Sequence, residues 1–393
     1  MSSTLSTAQQ ADALKRGFSR RSFGKLASVL SAGAALPFYN ERALAQLSMI
    51  KNMDPNAVKI NANENPMGPC PEAAEVMYSA VKRGGRYEYE DTYELADTLG
   101  AQEGLKTETG RRNNGSYVTI YAGSSAPLHQ SVLAFCSKER PFVAADPGYE
   151  AGGRAAKFIG AQIISVPLRK GTWDHDVKAM LEKGGPNAGL FYICNPNNPT
   201  GTLTKKEDIA WLVANKPAGS VVMVDEAYIH ISPNAEKCSD MVAADKDVIV
   251  LRTFSKLYGM AGLRAGAIFA RPDMLEKVAG WSAGMMPITA MVGATASLKK
   301  ASLVPERRKI IGDIRNDTFS WLTAQNIEFI PSESNCFMMN VKRPGSEFFK
   351  AMAKENVYIG RVWPVWPEWV RVTVGSKDDM AKFKVACKKV YNA

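Results

Sequence analysis

The sequence predicts an α/β fold, in which helices cover both faces of a mostly parallel sheet and a smaller α+β domain follows. Short apolar runs alternate with helical patterns from about residue 117 to residue 270, and this alternation is typical of parallel sheets. Polar clusters follow four of these runs, and the pattern changes beyond about Arg271. The runs predicted as strands are Tyr117–Tyr121, Phe142–Ala145, Ile163–Val166, Gly189–Cys194, Val221–Val224, Val248–Leu251 and Ala265–Ala270.

The four polar clusters lie just past the carboxyl ends of predicted strands, where open α/β sheets bind ligands. Four clusters in one chain are far less expected by chance than a single one. We therefore predict a ligand site at this edge of the sheet. The clusters are Gly123–Ser125, Asn195–Gly201, Asp225–Tyr228 and Thr253–Arg264.

Lys256 is the central residue of the last cluster, between Ser255 and a glycine-rich turn, with Arg264 eight residues later. A lysine whose surroundings favour the neutral amine forms a Schiff base with an aldehyde. Thr253 and Ser255 can donate hydrogen bonds to a phosphate, and the planar fork of Arg264 can add to them. The alternative is a surface turn with a solvated lysine and arginine.

Together the clusters resemble the aspartate-aminotransferase-like superfamily of pyridoxal-phosphate enzymes (fold type I), and within it the histidinol-phosphate aminotransferases. The resemblance runs from about Ile60 to the C-terminus and implies seven strands, one of them antiparallel. It also implies a pyridoxal 5'-phosphate cofactor and a homodimer with shared active sites. The motifs behind it are Asn61–Gly68, Arg86–Tyr87, Gly123–Ser125, Asp146–Tyr149, Asn198–Gly201, Asp225–Tyr228, Ser255–Lys256, Arg264 and Arg371–Gly375.

The resemblance implies a role for each cofactor residue. Lys256 would hold the cofactor as a Schiff base, and Asp225 would keep the pyridine nitrogen protonated by its opposite charge. Tyr149 would stack on the ring, while Asn198 and Tyr228 would bind its phenolic oxygen. The phosphate would be bound by the helix N-terminus at Gly123, Ser124 and Ser125, by Thr253, Ser255 and Arg264, and by Tyr87 (with Tyr89 as the alternative) from the neighbouring subunit.

The substrate residues come from both ends of the chain. Arg371 would bind the substrate α-carboxylate, a bidentate task that lysine performs poorly, with Asn198 nearby. Arg361 would bind a substrate phosphate, and Glu64, in an extended N-terminal arm, would line the pocket. The tryptophans between the two arginines predict either an aromatic side-chain pocket or a well-packed loop; they are Trp363, Trp366 and Trp369.

The implied reaction transfers an amino group from an L-amino acid, histidinol-phosphate-like or aromatic, to a 2-oxo acid. The same cofactor residues would serve an oxygen-dependent oxidase of a basic amino acid such as L-arginine, or a decarboxylase or lyase. The intact set of lysine, aspartate, tyrosine and arginine argues against a binding protein that has lost turnover.

The first 45 residues predict a twin-arginine export signal. Arg20 and Arg21 precede a modest apolar segment, and Ala43-Leu-Ala45 offers a cleavage site. We expect cleavage after Ala45, the export machinery as a partner, and a periplasmic mature protein. An N-terminal helix that stays attached is the alternative. The apolar segment is too short to span a bilayer, and no later stretch is long and apolar enough to do so.

The 393 residues, 46% of them hydrophobic, permit a large core and more than one domain. We predict an export signal at 1–45, an N-terminal arm at 46–72, a large cofactor-binding domain at 73–280 and a small C-terminal domain at 281–393. In the last, a long helical segment runs through Lys299 to Trp321, with strands near Ile327–Ile330 and Cys336–Val341. No nucleic-acid motif is present, and the cysteine and histidine spacings predict no metal site.

Overall fold

The computed structural model describes residues 54–108, 115–282 and 284–392. The predicted export signal and the first residues of the predicted arm lie outside these ranges. Within the described ranges, no helix combines the length and the apolar character needed to cross a membrane.

A seven-stranded sheet forms the centre of the protein. Numbered after a short first strand, β1 (Val58–Ile60), its strands are β2 (Val118–Tyr121), β3 (Phe142–Asp146), β4 (Ile163–Pro167), β5 (Leu190–Cys194), β6 (Val221–Asp225), β7 (Val248–Thr253) and β8 (Gly266–Phe269). Their order is β2-β8-β7-β6-β5-β3-β4. Strand β8 runs antiparallel to both neighbours, and the other pairs are parallel. The prediction of a mostly parallel sheet with one antiparallel strand is therefore confirmed.

The strands at the middle of the sheet explain why the sequence pattern was so clear. Every residue of β5, β6 and β7 is buried, as expected for parallel strands covered on both faces. Such strands are continuous apolar runs. The helices that precede, connect and follow the strands of this sheet are α1 (Pro71–Ala80), α2 (Tyr89–Glu103), α3 (Ser125–Phe135), α4 (Ala151–Phe158), α5 (Val177–Gly184), α6 (Lys206–Asn215), α7 (Ser239–Ala243) and α8 (Pro272–Ala279).

The predicted helical segment after the central sheet forms two helices with a break between them. Helix α9 (Ile288–Lys299) ends before Lys300, whose backbone is extended, and α10 (Leu303–Ala324) begins three residues later. Pro305 supplies the reason, because proline is tolerated in the first turn of a helix but removes a hydrogen bond from its interior. The break places Pro305 in the first turn of α10.

Two small sheets follow. Strands β9 (Cys336–Asn340), β11 (Val362–Trp363) and β12 (Trp366–Thr373) form an antiparallel sheet, and β10 (Val357–Ile359) pairs in parallel with β1. The predicted strand at Ile327–Ile330 was wrong, because only an isolated bridge from Phe329 to Met339 forms there. Pro331 follows directly and has no N–H to extend the ladder. Helices α11 (Gly345–Lys354) and α12 (Lys377–Tyr391) complete the fold.

Candidate active site

The predicted polar clusters meet at the carboxyl edge of the central sheet. Asp225 ends β6 and Thr253 ends β7. The backbone N–H of Asn195, just past β5, donates to the carbonyl of Asp225 at 2.9 Å. Gly266 of β8 lies opposite both Thr253 and Tyr121, which brings the cluster that follows β2 to the same edge.

A cradle of small and polar groups forms where β2, β7 and β8 end. Gly123 has a φ of +84°, and a side chain there would overlap the guanidinium of Arg264. The hydroxyl of Ser255 accepts a hydrogen bond from Arg264 Nη1 at 3.4 Å and one from Thr253 Oγ1 at 2.9 Å. Helix α3 begins at the same place, at Ser125, and the first N–H groups of a helix have no partner within it. The arrangement suits an anion such as a phosphate.

Asp225 is a buried carboxylate, only 3% exposed. It accepts hydrogen bonds from the hydroxyl of Tyr192 at 2.9 Å and from the backbone N–H of Ala227 at 3.2 Å. Burial raises its pKa to about 6, although these bonds and the charge of Lys256 oppose the rise. A carboxylate held in this way favours a cationic or N–H partner.

Lys256 lies half-buried between the sheet and the arm. Its Nζ donates to the carbonyl of Ala62 at 3.4 Å and lies 5.8 Å from the centre of the Tyr228 ring. Burial holds the pKa of Tyr228 well above its ordinary value, so its hydroxyl keeps its proton and can act as a donor. Tyr228 Oη in turn accepts a hydrogen bond from Asn63 Nδ2 at 2.9 Å.

Asn63 is a site residue that the sequence prediction missed. Besides Tyr228, its amide contacts Cys336 Sγ at 3.2 Å, and its oxygen accepts from Thr373 Oγ1 at 3.1 Å. Its φ is +52°, a conformation in which asparagine is enriched. The motif around Asn63 predicts only a polar arm, and the structure shows that Asn63 joins the arm to β12 and to the loop that follows β6.

Tyr192 was missed for a similar reason. It lies inside the apolar run of β5, and its only sequence signal was a phenol in an otherwise apolar central strand, since a buried tyrosine hydroxyl needs a partner. Tyr192 lies two residues before Cys194, which is paired with Asp225 in the adjacent strand. Because side chains alternate between the two faces of a strand, Tyr192 and Asp225 lie on the same face of the sheet.

Arg371 lies across the site from the cradle. Its Nη1 donates to Asn198 Oδ1 at 2.9 Å and its Nη2 donates to the carbonyl of Asn61 at 2.6 Å. Each terminal nitrogen of a guanidinium carries two N–H groups, so one on each remains to bind a carboxylate. The structure thus joins the predicted residues Arg371 and Asn198.

Arg361 and the loop that carries Tyr149 lie beside Arg371, around the ring of Trp363. Arg361 forms an ion pair with Glu150 and lies over the ring of Trp363 at 4.3 Å, and burial lowers its pKa. Trp363 donates its Nε1–H to the carbonyl of Gly148 at 2.9 Å. Tyr149 is half-buried and lies near Arg361.

Two predicted site residues lie at the surface of the chain. Tyr87 is 73% exposed and contacts Tyr89, so its role at a neighbouring subunit's site stays a prediction. Glu64 is exposed in the arm. Among the residues in the described ranges, no group of three histidine, cysteine or acidic side chains could hold a metal ion.

The chain was compared with known proteins. Residues 55–390 match the family model for aminotransferase class I and II. The chain belongs to this family. It is similar to a histidinol-phosphate aminotransferase from Halalkalibacterium halodurans (31% identical, covering 82% of this chain and 85% of the relative). It is also similar to an aromatic amino acid aminotransferase from Cutibacterium acnes (30% identical, covering 81% and 88%).

A solved structure confirms the aspartate-aminotransferase-like fold. The chain superposes on the histidinol-phosphate aminotransferase of Sinorhizobium meliloti, solved in complex with pyridoxal-5'-phosphate, with a TM-score of 0.78, 22% identity and coverage of 91% of this chain and 96% of that one. Class I and II aminotransferases depend on pyridoxal 5'-phosphate, so this aminotransferase does as well.

The residues of the site fit this cofactor. The cradle at Gly123, backed by Arg264, would take the phosphate, and the buried carboxylate of Asp225 would face the ring nitrogen. Lys256, which lies near Asp225 and Tyr228, would hold the aldehyde.

Proposed function

We propose that this aminotransferase moves the amino group of an L-amino acid, histidinol-phosphate-like or aromatic, to a 2-oxo acid through Lys256. The names of the similar proteins support this substrate range. The observation on which the proposal rests is the placement of Lys256, Asp225 and Arg371 around one site. When bound, the cofactor supplies an aldehyde for the substrate amine and a ring that accepts electrons.

Each residue of the site has its own role toward the cofactor or the substrate. Asp225 keeps a proton on the ring nitrogen, because its buried negative charge favours the cationic form. Tyr228 donates its hydroxyl proton toward the phenolic oxygen, with Asn198 as the second donor. Tyr149 packs on the ring and limits its tilt. Arg371 binds the α-carboxylate with its two remaining N–H groups.

Lys256 Nζ has two tasks. It holds the aldehyde until the substrate amine replaces it, and it then accepts the proton from the substrate Cα as a general base. The half-buried position near Tyr228 and the carbonyl of Ala62 keeps Nζ inside the pocket. Delivery of that proton by the same atom to the cofactor carbon, followed by hydrolysis, would release the first 2-oxo acid and leave the amino group on the cofactor. The same steps in reverse with the second 2-oxo acid would complete the transfer.

The absorption spectrum of the purified holoenzyme tests this function. Histidinol phosphate and aromatic, acidic and basic amino acids are added one at a time, with and without oxygen. The cofactor band should change with one class and recover with a 2-oxo acid. Oxygen consumption with ammonia release, and no recovery by oxo acids, would contradict amino transfer. Lys256→Ala should abolish turnover, and normal turnover in that variant would exclude the assigned role.

We also propose a homodimer in which Tyr87 reaches the phosphate cradle of the other subunit. The exposed rings of Tyr87 (73%), Tyr89 (53%) and Tyr78 (80%) around α1 and α2 support it, because such rings are usually covered. Mixing inactive Lys256→Ala with Tyr87→Ala should restore part of the activity in hybrid dimers. No restoration, or a monomer in sedimentation, would contradict sharing.

For location, we propose twin-arginine export and a periplasmic mature protein. The twin-arginine pattern, the apolar segment and Ala43-Leu-Ala45 support it, and the family match begins only at residue 55. Replacing Arg20 and Arg21 by lysine should retain the full-length chain in the cytoplasm. N-terminal sequencing should place the mature start at Gln46; an intact N-terminus on the periplasmic protein would contradict cleavage.

A further inference from the structure

The guanidinium that the sequence prediction assigned to a substrate phosphate already has an anionic partner. Arg361 is paired with the carboxylate of Glu150, its side chain is 14% exposed, and it stacks on Trp363. The Glu150 side chain is 37% exposed and stays on the open side of the pair. A phosphate approaching Arg361 would meet the negative charge of Glu150, and like charges at short range repel.

Three half-buried tryptophans form an aromatic surface beside this pair. We call Trp173, Trp366 and Trp369 the tryptophan rim. The rings of Trp173 and Trp366 meet edge to face with centroids 5.1 Å apart, and Trp369 lies 5.9 Å from Trp366 and 6.4 Å from Trp173. The rim packs on the buried side chains of Trp363 and Met338.

The rim borders the carboxylate-binding side of the site. Trp369 lies two residues before Arg371 on β12, so both side chains are on one face of the strand, with Cα atoms roughly 7 Å apart. From the other side, the carbonyl of Trp173 accepts a hydrogen bond from Thr202 Oγ1 at 2.6 Å, in the loop that also provides Asn198. The rim is therefore tied to the strand that carries Arg371 and to the loop that carries Asn198, its hydrogen-bond partner.

We propose that the tryptophan rim binds a flat, uncharged aromatic side chain of the amino acid, and that the Glu150–Arg361 pair excludes a phosphorylated one. The inference rests on the proposed function, in which Arg371 holds the α-carboxylate. Aromatic rings gain from edge-to-face and offset contacts with indoles. A cationic side chain finds no unpaired carboxylate there, because Glu150 is already paired with Arg361, and it would meet Arg361 and Arg371, which both lie against the Trp363 ring beneath the rim.

Carboxylic acids that lack an α-amino group test the inference, because they bind without turnover. The holoenzyme is titrated by calorimetry with 3-indolepropionate, 3-phosphonopropionate and 4-guanidinobutyrate. We expect 3-indolepropionate to bind at least about 10-fold more tightly than either of the others. Tighter binding of the phosphonate or of the guanidino acid overturns the inference.

Variants of the rim show whether the tryptophans make the contact. Trp366→Leu should weaken 3-indolepropionate about 3- to 10-fold, the effect of one aromatic contact, and leave the cofactor band unchanged. Trp211→Leu, on α6 beside Lys178 and away from the rim, is the matched control and should bind as the wild type does. Trp369→Leu is a second rim variant if Trp366→Leu does not fold. An unchanged Kd in a folded rim variant overturns the role of the rim.

Glu150→Gln tests the exclusion of phosphate. Removing the carboxylate frees the charge of Arg361, so binding of 3-phosphonopropionate should improve about 10-fold, while 3-indolepropionate should bind as before. No gain for the phosphonate overturns the exclusion.

The spectral panel on the same preparation distinguishes the two levels of failure. If the cofactor band responds to amino acids but aromatic ligands are not preferred, the inference fails and the proposed function stands. If no amino acid changes the band, both fail.

Discussion

The cofactor side and the substrate side of this active site are built in different ways. On the cofactor side, Asp225 and Thr253 end the adjacent strands β6 and β7, and Gly123 lies just past β2 of the same sheet. On the substrate side, Arg371 is positioned by Asn198 and by the carbonyl of Asn61, which come from distant parts of the chain. The positions of the cofactor residues follow from the order of the strands, while the position of Arg371 depends on how separate segments of the chain pack.

Buried charge beneath the cofactor side supports this strand-end geometry. Arg252 precedes Thr253 and is 1% exposed, and it forms ion pairs with Glu103 at 2.9 Å and with Glu226 at 2.5 Å. Glu226 follows Asp225 directly. The ends of β6 and β7, which hold the cofactor residues, are therefore joined to each other and to the end of α2. On the substrate side, Arg371 is held instead by single hydrogen bonds to neutral groups.

The largest effect is expected from breaking this charge cluster. Arg252→Met leaves two buried carboxylates without their main partner, so the free energy of unfolding should fall by about 3–5 kcal/mol. Lys237→Met removes an exposed partner of the same Glu103 and should cost at most about 1 kcal/mol. Urea unfolding of both variants measures the difference, and equal losses would show that burial does not matter here.

A similarly large effect is expected on turnover from Asp225. Asp225→Asn removes the negative charge beside the ring nitrogen and should lower kcat about 10²- to 10³-fold, while the cofactor stays bound through the cradle. Stopped-flow measurement of the half-reaction, with cofactor content measured in parallel, checks this. A kcat close to that of the wild type would assign the ring proton to another group.

The pH dependence of stability isolates the same carboxylate. In cofactor-free protein the pKa of Asp225 is about 6, above its unfolded value near 3.9. The folded state therefore binds more protons between these values, and stability is lost as pH rises from about 4 to about 6, by about 3 kcal/mol. Comparison with Asp225→Asn, which lacks this loss, measures it by urea unfolding. An identical pH profile in the two proteins would contradict the raised pKa.

On the substrate side, Arg371→Lys should mainly weaken carboxylate binding. Lysine cannot offer two parallel N–H groups, so KM should rise about 10- to 100-fold, with the cofactor spectrum unchanged. The surface variant Arg271→Lys serves as the control. If kcat falls and KM does not change, Arg371 contributes to the chemical step rather than to carboxylate binding.

The smallest effect is expected from Asn63, which bridges the two sides. Asn63→Gly keeps the positive φ but removes the bonds to Tyr228 and Thr373, so kcat should fall about 10-fold and the cofactor band should shift. Asn340→Ala, which removes exposed bonds to Glu328 and to the backbone N–H of Lys342, should change neither. A normal spectrum in Asn63→Gly would mean that Asn63 does not position Tyr228.

The same contrast explains which sequence predictions succeeded. All seven predicted runs form strands. The pattern is clearest in β5, β6 and β7, because strands buried on both faces are nearly continuous apolar runs. The break between α9 and α10 and the missing strand at Ile327–Ile330 came from prolines whose local effect outweighed the apolar pattern. The domain boundaries, the export signal and the role of Tyr87 stay predictions.

Sequence by itself determined the strands, the cofactor motifs and the family, since these depend on short-range patterns and on the shared edge of a parallel sheet. Three contacts were decided by the tertiary structure alone. They are the hydrogen bond from Tyr192 to Asp225, the hydrogen bond from Asn63 to Tyr228 and the ion pair between Glu150 and Arg361. These contacts join residues 33, 165 and 211 positions apart. No local pattern encodes such pairs, because packing of whole elements, rather than the propensity of any segment, brings them together.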